Sequence, residues 1–249
     1  DGYLVVINLI TETIIYNKNI NDIFLSQSNY VSSINISIMA YADEDYLSIL
    51  LICGTDLGQM MIFKIVPDDA NELKVTFMKT TSMLVHNKIE DIQIFVDENS
   101  NSHKDEPTTE LRKCNTKGKI ILISCREICI VSPGKERKQL FTKYFNNSII
   151  SGQFCSNMPI PLKKNNSFFI TLSSNKEIRI FSLPDFSQVS KLALPEYISQ
   201  VSSGCTTEKG NILIKDDTYH SVLFSFFSNG RDSSKIGMDN MVLYNPDHE

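Results

Sequence analysis

The chain has 249 residues, a formal net charge of −5 and 42% hydrophobic residues. That length and apolar content suffice for one large β domain with its own core. The acidic balance argues against a general nucleic-acid-binding surface, and no apolar run has the length of a membrane span. Because the chain begins with Asp1 and enters an apolar run at once, we expect it to be a piece of a longer polypeptide.

Pairs of apolar segments, separated by short polar breaks, recur along the chain. The first is YLVVINLITETIIY (residues 3–16) and the second is SILLICGTDLGQMMIFKI (residues 48–65). Three more follow: KIILISCREICIVSP (119–133), FFITLSSNKEIRIFSLPD (168–185) and NILIKDDTYHSVLFSFF (211–227). Apolar and β-branched runs bounded by turn residues predict two strands joined by a turn in each case.

The polar break in the second pair, GTDLGQ at residues 54–59, has two competing interpretations. A phosphate-binding loop needs glycines followed by Lys and Ser or Thr at the start of a helix. Here Gly58 is followed by Gln59 and two methionines, and the apolar residues beyond them predict a strand. Glycine beside aspartate tolerates the positive φ of tight hairpin loops. We therefore predict a turn between two strands.

Single apolar segments between the pairs alternate with period two, which predicts further strands. They cover residues 31–41, 73–84, 89–96, 148–154 and 188–194. Three of the pairs end at Pro67, Pro133 and Pro184, which are 66 (133 − 67) and 51 (184 − 133) residues apart. A strand repeat of this size predicts an all-β chain, a β-propeller with antiparallel four-stranded blades.

Residues 1–249 contain roughly four such blades plus part of another. A closed propeller of seven blades needs more chain than this. We expect the last apolar run, residues 241–244, to pair with an earlier blade that is absent or partial here.

Residues 97–118, DENSNSHKDEPTTELRKCNTKG, are polar and charged and predict a long surface insertion. Phosphorylation of Ser100, Ser102, Thr108 or Thr109 would create or block a docking surface there. An inert loop is the alternative interpretation.

No residue forms a recognisable catalytic, cofactor-binding or metal-binding pattern. The histidines lie in unlike contexts and join no known nucleophile motif, so we interpret them as ordinary surface or strand-end residues. They are His86, His103, His220 and His248. Acidic clusters at residues 43–45 and 68–69 fit no calcium loop and are interpreted as solvated turns. Basic clusters at residues 135–138 and 163–164 are interpreted as solubilising loop charges.

Most of the six cysteines lie in or beside apolar runs, which is typical of buried, reduced thiols in the cytosol. They are Cys53, Cys114, Cys125, Cys129, Cys155 and Cys205. Cys125 and Cys129 do not have the spacing of a zinc-binding pair, and no second pair completes four ligands.

Three stretches resemble the C-terminal part of the lethal giant larvae (Lgl) family, and most closely its fungal members, with tomosyn a more distant relative. They are SILLICGTDLGQMMIFKIVP, SFFITLSSNKEIRIFSLPDF and GNILIK. The resemblance begins near Tyr3 and runs over most of the chain. It implies two consecutive seven-bladed propellers in the intact protein, with this chain forming the later blades of the second, a divergent WD-type propeller.

The resemblance also implies a non-enzymatic scaffold. Family members are cytoplasmic, associate peripherally with the plasma membrane and bind its target SNAREs, and thereby regulate vesicle docking and fusion in polarised exocytosis. Further partners of members are a vesicle Rab GTPase and non-muscle myosin. No family motif marks the partner-contacting residues, so none is assigned.

Two departures limit the resemblance. The first propeller and the early blades of the second are not in the sequence, and the chain ends YNPDHE without the heptad repeats of the tomosyn tail. Either the protein is of the short-tailed fungal type or the tail has been cut away. The chain contains no Trp, so the Trp-Asp signature of ordinary WD repeats is missing, which suits a divergent propeller such as this family has.

Two other functions stay open at this point. One is an unrelated propeller scaffold, for example in RNA processing or ubiquitin ligation. The other, which the sequence favours least, is a propeller hydrolase, since that would need acidic residues converging on a central channel.

Overall fold

The computed structural model describes residues 3–23, 34–42, 47–67, 72–80, 85–96, 118–132, 139–155, 167–183, 185–229 and 232–244. The chain divides into two compact units, Asp1–Tyr144 and Phe145–Glu249. The described residues are almost entirely β-strand, and the strands form antiparallel sheets.

The first unit contains ten strands and one short helix among its described residues. They are β1 (Tyr3–Asn8), β2 (Thr13–Asn19), α1 (Ile20–Ile23), β3 (Ile34–Ala42), β4 (Leu47–Thr55), β5 (Met60–Pro67), β6 (Leu73–Thr80), β7 (Ile89–Val96), β8 (Gly118–Ser124), β9 (Glu127–Val131) and β10 (Gln139–Tyr144). Strands β1 and β2 form a hairpin, and β3–β6 and β7–β10 form two four-stranded sheets in chain order.

The second unit contains eight strands among its described residues. They are β11 (Ile149–Cys155), β12 (Phe168–Ser173), β13 (Glu177–Ser182), β14 (Ser187–Ala193), β15 (Val201–Thr206), β16 (Ile212–Asp216), β17 (Ser221–Asn229) and β18 (Asp232–Tyr244). They form two more four-stranded sheets, β11–β14 and β15–β18, again in chain order.

The predicted all-β class with antiparallel four-stranded sheets is confirmed. Each of the five predicted hairpins is present, since β1 pairs with β2, β4 with β5, β8 with β9, β12 with β13 and β16 with β17. Pro67 ends β5 as expected, whereas Pro133 and Pro184 lie outside the described residues. Of the predicted insertion, only Gly118 is described, and it begins β8.

The prediction for the last strand was wrong. Residues 241–244 do not pair with an earlier blade, because they belong to the longer β18, which pairs antiparallel with β17 in its own sheet. The register runs from Ser221 opposite Tyr244 to Asn229 opposite Asp232. The strand extends nine residues further towards the N-terminus than expected, through a polar stretch whose sequence carries no strand pattern.

Apolar side chains fill the space between neighbouring sheets within each unit. In the first unit, a core between the β3–β6 and β7–β10 sheets includes Ile52, Ile62 and Leu122, all buried. A second core joins the β1–β2 hairpin to the other face of the β3–β6 sheet. In the second unit, the core between its two sheets includes Ile170 and Phe224. The sheets are therefore buried on faces that the period-two pattern marks as apolar.

Within each unit, the outer strands of neighbouring sheets lie side by side. In the first unit β3 lies beside β7, and β2 lies beside β6. In the second unit β11 lies beside β15. Within each unit, the first strands of the two four-stranded sheets therefore lie beside each other, as in the blades of a propeller.

Candidate functional site

The GTDLGQ segment is a closed hairpin turn between β4 and β5. The Thr55 N–H donates to the Gln59 carbonyl at 2.9 Å, and the Gly58 N–H donates to the Thr55 carbonyl at 3.2 Å. The Gln59 N–H donates to Thr55 Oγ1 at 3.1 Å. Because these donors bind within the turn, they are not directed at a ligand as a phosphate loop requires. The turn interpretation is confirmed.

A buried polar residue ends the second strand of every four-stranded sheet. These residues are Thr55, Ser124, Ser173 and Asp216, and each is at most 2% exposed. The Ser124 hydroxyl donates to the Glu127 carbonyl at 3.2 Å, across the turn that follows it. Since a buried polar group without a partner is costly, the hydrogen-bonded side chains of Thr55, Ser124 and Asp216 fix the turns that follow them. The sequence analysis identified the turns but not this shared role.

Asp216 has the densest hydrogen-bond network of the four. Its Oδ1 accepts the N–H of Thr218 at 3.0 Å, the Thr218 hydroxyl at 2.9 Å and the N–H of His220 at 2.8 Å. Its Oδ2 accepts the Ser199 N–H at 3.1 Å and lies 3.1 Å from His220 Nδ1. The carboxylate therefore ties the β16–β17 turn to the loop that precedes β15.

The Asp216 cluster lacks the geometry of a catalytic triad. Burial by itself would raise the pKa of Asp216, but the hydrogen bonds from Ser199, Thr218 and His220 outweigh it and hold the pKa below its ordinary value. Nucleophile activation needs the hydroxyl and the carboxylate on opposite ring nitrogens. Here the Thr218 hydroxyl lies 2.8 Å from Nδ1, the same nitrogen that faces Asp216. We interpret the cluster as a structural turn.

Glu127 in the first unit is a buried carboxylate at a central turn, as Asp216 is in the second unit. Its side chain is 1% exposed, and its Oε2 accepts the N–H of His86 at 2.9 Å and lies 3.3 Å from His86 Nδ1. His86 precedes β7, so this carboxylate also joins a central turn to the loop before the first strand of its own sheet. His86 and His220 thus each donate a backbone N–H to a buried carboxylate at a turn. This agrees with their interpretation as ordinary surface or strand-end residues.

The described cysteines are unpaired thiols, and three of them are buried. Burial raises the pKa of Cys53 to about 12, of Cys129 to about 11 and of Cys155 to about 12. Such thiols stay protonated and are poor nucleophiles and metal ligands. Among the described residues, no three His, Cys, Asp or Glu side chains are grouped to hold a metal ion. No helix in the described part of the chain is long and apolar enough to cross a membrane.

Exposed aromatic side chains lie at the ends of the sheets where these central turns are. In the first unit, Tyr144 is 63% exposed, and its ring centroid is 5.8 Å from that of His86. In the second unit, Tyr219 in the β16–β17 turn is 62% exposed and Tyr197 before β15 is 47% exposed. Lys215 Nζ lies 4.8 Å from the Tyr219 ring centroid. Aromatic residues held on rigid turns are suited to protein contacts.

Several positions singled out in the sequence fall outside the described residues. They are Cys114, His103, His248, the acidic clusters at 43–45 and 68–69, the basic clusters at 135–138 and 163–164, and the hydroxyl residues at 100, 102, 108 and 109.

The family model for the C-terminal part of lethal giant larvae (Lgl)-like proteins matches residues 1–249. The chain belongs to the Lgl family. Lethal(2) giant larvae protein homolog SRO77 of Saccharomyces cerevisiae is 28% identical over 264 residues. The match covers 99% of this chain and 26% of SRO77, so this Lgl-family chain spans about a quarter of that relative's length.

Two solved structures show the same fold at low sequence identity. The WD40 domain of SCAP from fission yeast matches with a TM-score of 0.58 and 9% identity, over 98% of this chain and 59% of that one. A chain of the mitotic checkpoint complex matches with a TM-score of 0.52 and 11% identity, over 96% of this chain and 57% of that one. The Lgl-family chain therefore has the WD40 propeller fold, although it lacks Trp.

Proposed function

We propose that this chain is part of a non-enzymatic, cytoplasmic Lgl-family scaffold that binds a target SNARE of the plasma membrane and regulates vesicle docking and fusion in polarised exocytosis. The observation that carries the proposal is the Lgl match over residues 1–249. In this function the scaffold associates peripherally with the plasma membrane, and a vesicle Rab GTPase and non-muscle myosin are further partners.

The structure supports a binding role through the rigidity of its sheets. Cores on the sheet faces and buried polar residues in the turns fix the surface residues before any partner arrives. A preorganised surface loses less conformational entropy on binding than a mobile one. Such a scaffold can hold an extended or helical SNARE segment in a controlled state before SNARE assembly.

We propose that the SNARE segment contacts the end of the second unit that carries Tyr197 and Tyr219. Tyr197 and Tyr219 are exposed, and the Asp216 network fixes the loop and the turn that carry them. Tyrosine supplies a large contact area with few rotatable bonds and is enriched among residues that dominate binding energy. A partner segment with apolar side chains and hydrogen-bond acceptors fits this chemistry.

The test is a binding titration with the cytosolic part of a plasma-membrane target SNARE. The full-length protein, a version lacking residues 1–249, the Tyr197→Ala/Tyr219→Ala variant and a Glu208→Ala/Lys209→Ala control are compared. The control residues are exposed in the β15–β16 turn, at the opposite end of the same sheet. Circular dichroism and thermal unfolding check that every version is folded.

We expect saturable binding by the full-length protein, loss of binding in the truncated version, and roughly tenfold weaker binding in the tyrosine variant. The control should bind like the unchanged protein. No binding by a well-folded full-length protein would contradict the proposed function. Unchanged binding by the tyrosine variant would leave the function in place and contradict the proposed surface.

The two other functions considered from the sequence have less support. The Lgl match argues against a propeller scaffold unrelated to this family. For a hydrolase, the described part of the chain offers two buried carboxylates. Asp216 is held by hydrogen bonds to turn and loop residues, and Glu127 Oε2 accepts the His86 N–H while its Oε1 is buried without a hydrogen-bond partner. The two carboxylates lie in different units and form no acid pair.

A further inference from the structure

Two buried carboxylates lie at equivalent turns, between the second and third strands of their sheets, but the fold satisfies only one of them fully. Both oxygens of Asp216 accept hydrogen bonds from turn and loop residues. Glu127 is as deeply buried, at 1% exposure, yet its Oε2 alone accepts a hydrogen bond, from the His86 N–H at 2.9 Å. Its Oε1 is buried without a hydrogen-bond partner.

An unsatisfied oxygen on a buried carboxylate is costly, because it has lost its hydration and gained no donor in exchange. Glutamate is rarely buried so completely unless it is paired with a cation. In the described part of the chain no Lys or Arg forms an ion pair with Glu127, and His86 Nδ1 lies 3.3 Å from Oε2, which leaves Oε1 unsatisfied. An oxygen in this state calls for a further hydrogen-bond donor.

Two exposed rings lie next to this carboxylate. Tyr144 is directly opposite Glu127 in the β9–β10 pair, so the two side chains lie on the same face of the sheet. The Tyr144 ring centroid is 5.8 Å from that of His86, and the two side chains are largely exposed. Burial and the charge of Glu127 raise the pKa of Tyr144, but the Tyr144 hydroxyl leaves Oε1 without a hydrogen bond. Exposed side chains change rotamer readily, so a partner can reach Oε1 between the rings.

We propose that the recess formed by Glu127, His86 and Tyr144 receives a lysine side chain of a protein partner, whose ammonium group donates to Glu127 Oε1. One free oxygen suits the compact ammonium of lysine better than the guanidinium of arginine, which binds a carboxylate through both oxygens. Because Oε2 already accepts the His86 N–H, a bidentate arginine would have to break that bond. The two rings attract the cation further through their π faces.

This contact is separate from the SNARE contact proposed for the second unit, since all three residues of the recess lie in the first unit. The structure specifies the partner by its chemistry, as a segment that presents a lysine. Either proposal can therefore fail while the other stands.

The test uses the full-length protein with isotopically labelled histidine rings, and n-butylammonium as the probe, because this ion is the end of a lysine side chain. NMR follows the His86 ring signal, which is assigned by its absence in His86→Ala. The comparison probes are n-butylguanidinium and the uncharged n-butanol. Glu127→Gln tests the carboxylate, and Glu208→Gln is the matched control, since it removes an exposed carboxylate from the second unit.

We expect n-butylammonium to shift the His86 signal saturably, and Glu127→Gln to weaken this binding about tenfold or more through loss of a charge-assisted hydrogen bond. Glu208→Gln should respond like the unchanged protein. The absence of a saturable shift, an unchanged response in Glu127→Gln or an equal response to n-butanol would overturn the proposal. An equal or stronger response to n-butylguanidinium would overturn the assignment to lysine.

Thermal unfolding distinguishes a binding role of Glu127 from a structural one. Glu127→Gln keeps an acceptor for the His86 N–H and removes a buried charge that is only half satisfied, so its midpoint should be unchanged or higher. Asp216→Asn, at the equivalent turn with both oxygens bonded, should lower the midpoint. Midpoints lowered equally in both variants would show that the Glu127 carboxylate serves the fold, and would also overturn the proposal.

Discussion

At the scale of single residues, the turns depend on polar side chains whose burial the sequence does not reveal. From the sequence KDDTYH, Asp216 is interpreted as an ordinary turn aspartate, because aspartate favours turns in general. In the fold it is buried, and one of its hydrogen-bond donors is the N–H of Ser199, seventeen residues (216 − 199) earlier in the chain. A local pattern predicts the turn but cannot identify a partner that only the fold brings close.

Among the glycines of the described residues, Gly58 leaves the least space for a side chain. Its φ is +76°, and a Cβ at this position would lie 2.0 Å from the backbone oxygen of Val85. Since backbone cannot yield as a side chain does, we expect Gly58→Ala to lower the free energy of unfolding by about 2 kcal/mol or more. Chemical denaturation measures this. Gly210→Ala, at a φ of +88°, reports the cost of the dihedral angle and should be milder. An equal loss in both variants would contradict the role of Val85.

Asp216→Asn removes the charge that the turn network binds. Hydrogen bonds to a buried carboxylate each contribute about 1.5–3 kcal/mol, so we expect the variant to unfold at a lower temperature at neutral pH. The folded-state pKa lies below the ordinary 3.8. This stabilisation is therefore present above pH 3.8 and is lost as the pH falls through the lowered pKa.

The difference in unfolding midpoint between the unchanged protein and Asp216→Asn should consequently shrink as the pH is lowered below 3.8. Thermal unfolding followed by circular dichroism across pH 7 to 3 is the measurement. A difference that stays constant over this range would show that the charge of Asp216 does not stabilise the turn.

At the scale of elements, the apolar central strands and the outer strands with an alternating pattern were predictable, whereas two outer strands with few apolar residues were not. The pairs β4–β5, β8–β9 and β12–β13 carry continuous apolar runs because they are buried on both faces. Strands β10 and β15, QLFTKY and VSSGCT, were missed because few of their side chains are apolar. Their strand conformation comes from backbone pairing with β9 and β16.

Gly204 of β15 allows the two sheets of the second unit to approach closely. A Cβ there would lie 2.5 Å from Leu172 Cδ2, and Leu172 is fully buried. We expect Gly204→Val to lower the free energy of unfolding by about 1–3 kcal/mol through overpacking. The Gly204→Val/Leu172→Ala double variant should recover part of this loss, because the smaller side chain makes room. Additive losses in a denaturation cycle of the four proteins would contradict this contact.

At the scale of the whole molecule, the propeller-type repeat and the family could be predicted, because both are written along the chain in ordered hairpins. The exposed surface residues could not be predicted from the sequence. Ile36 and Ile38 of β3 are exposed while their cross-strand neighbours Cys53 and Leu51 are buried, and no pattern in the sequence distinguishes them. Likewise, Tyr197 and Tyr219 come together at one end through the Asp216 network.

The reactivity of the buried thiols measures how readily each unit opens. Cys53 and Cys129 lie in the first unit and Cys155 in the second, and burial raises the pKa of each to about 11 or 12. A buried, protonated thiol reacts only when its sheets open, so we expect no alkylation of these three by iodoacetamide at pH 8 in the folded protein.

Mass spectrometry of peptides after timed labelling in increasing denaturant checks this. Cys53 and Cys129 should become labelled over the same denaturant range, since one unit contains both. Labelling of any of the three without denaturant, at the rate of a free thiol, would contradict the packing described for its sheet.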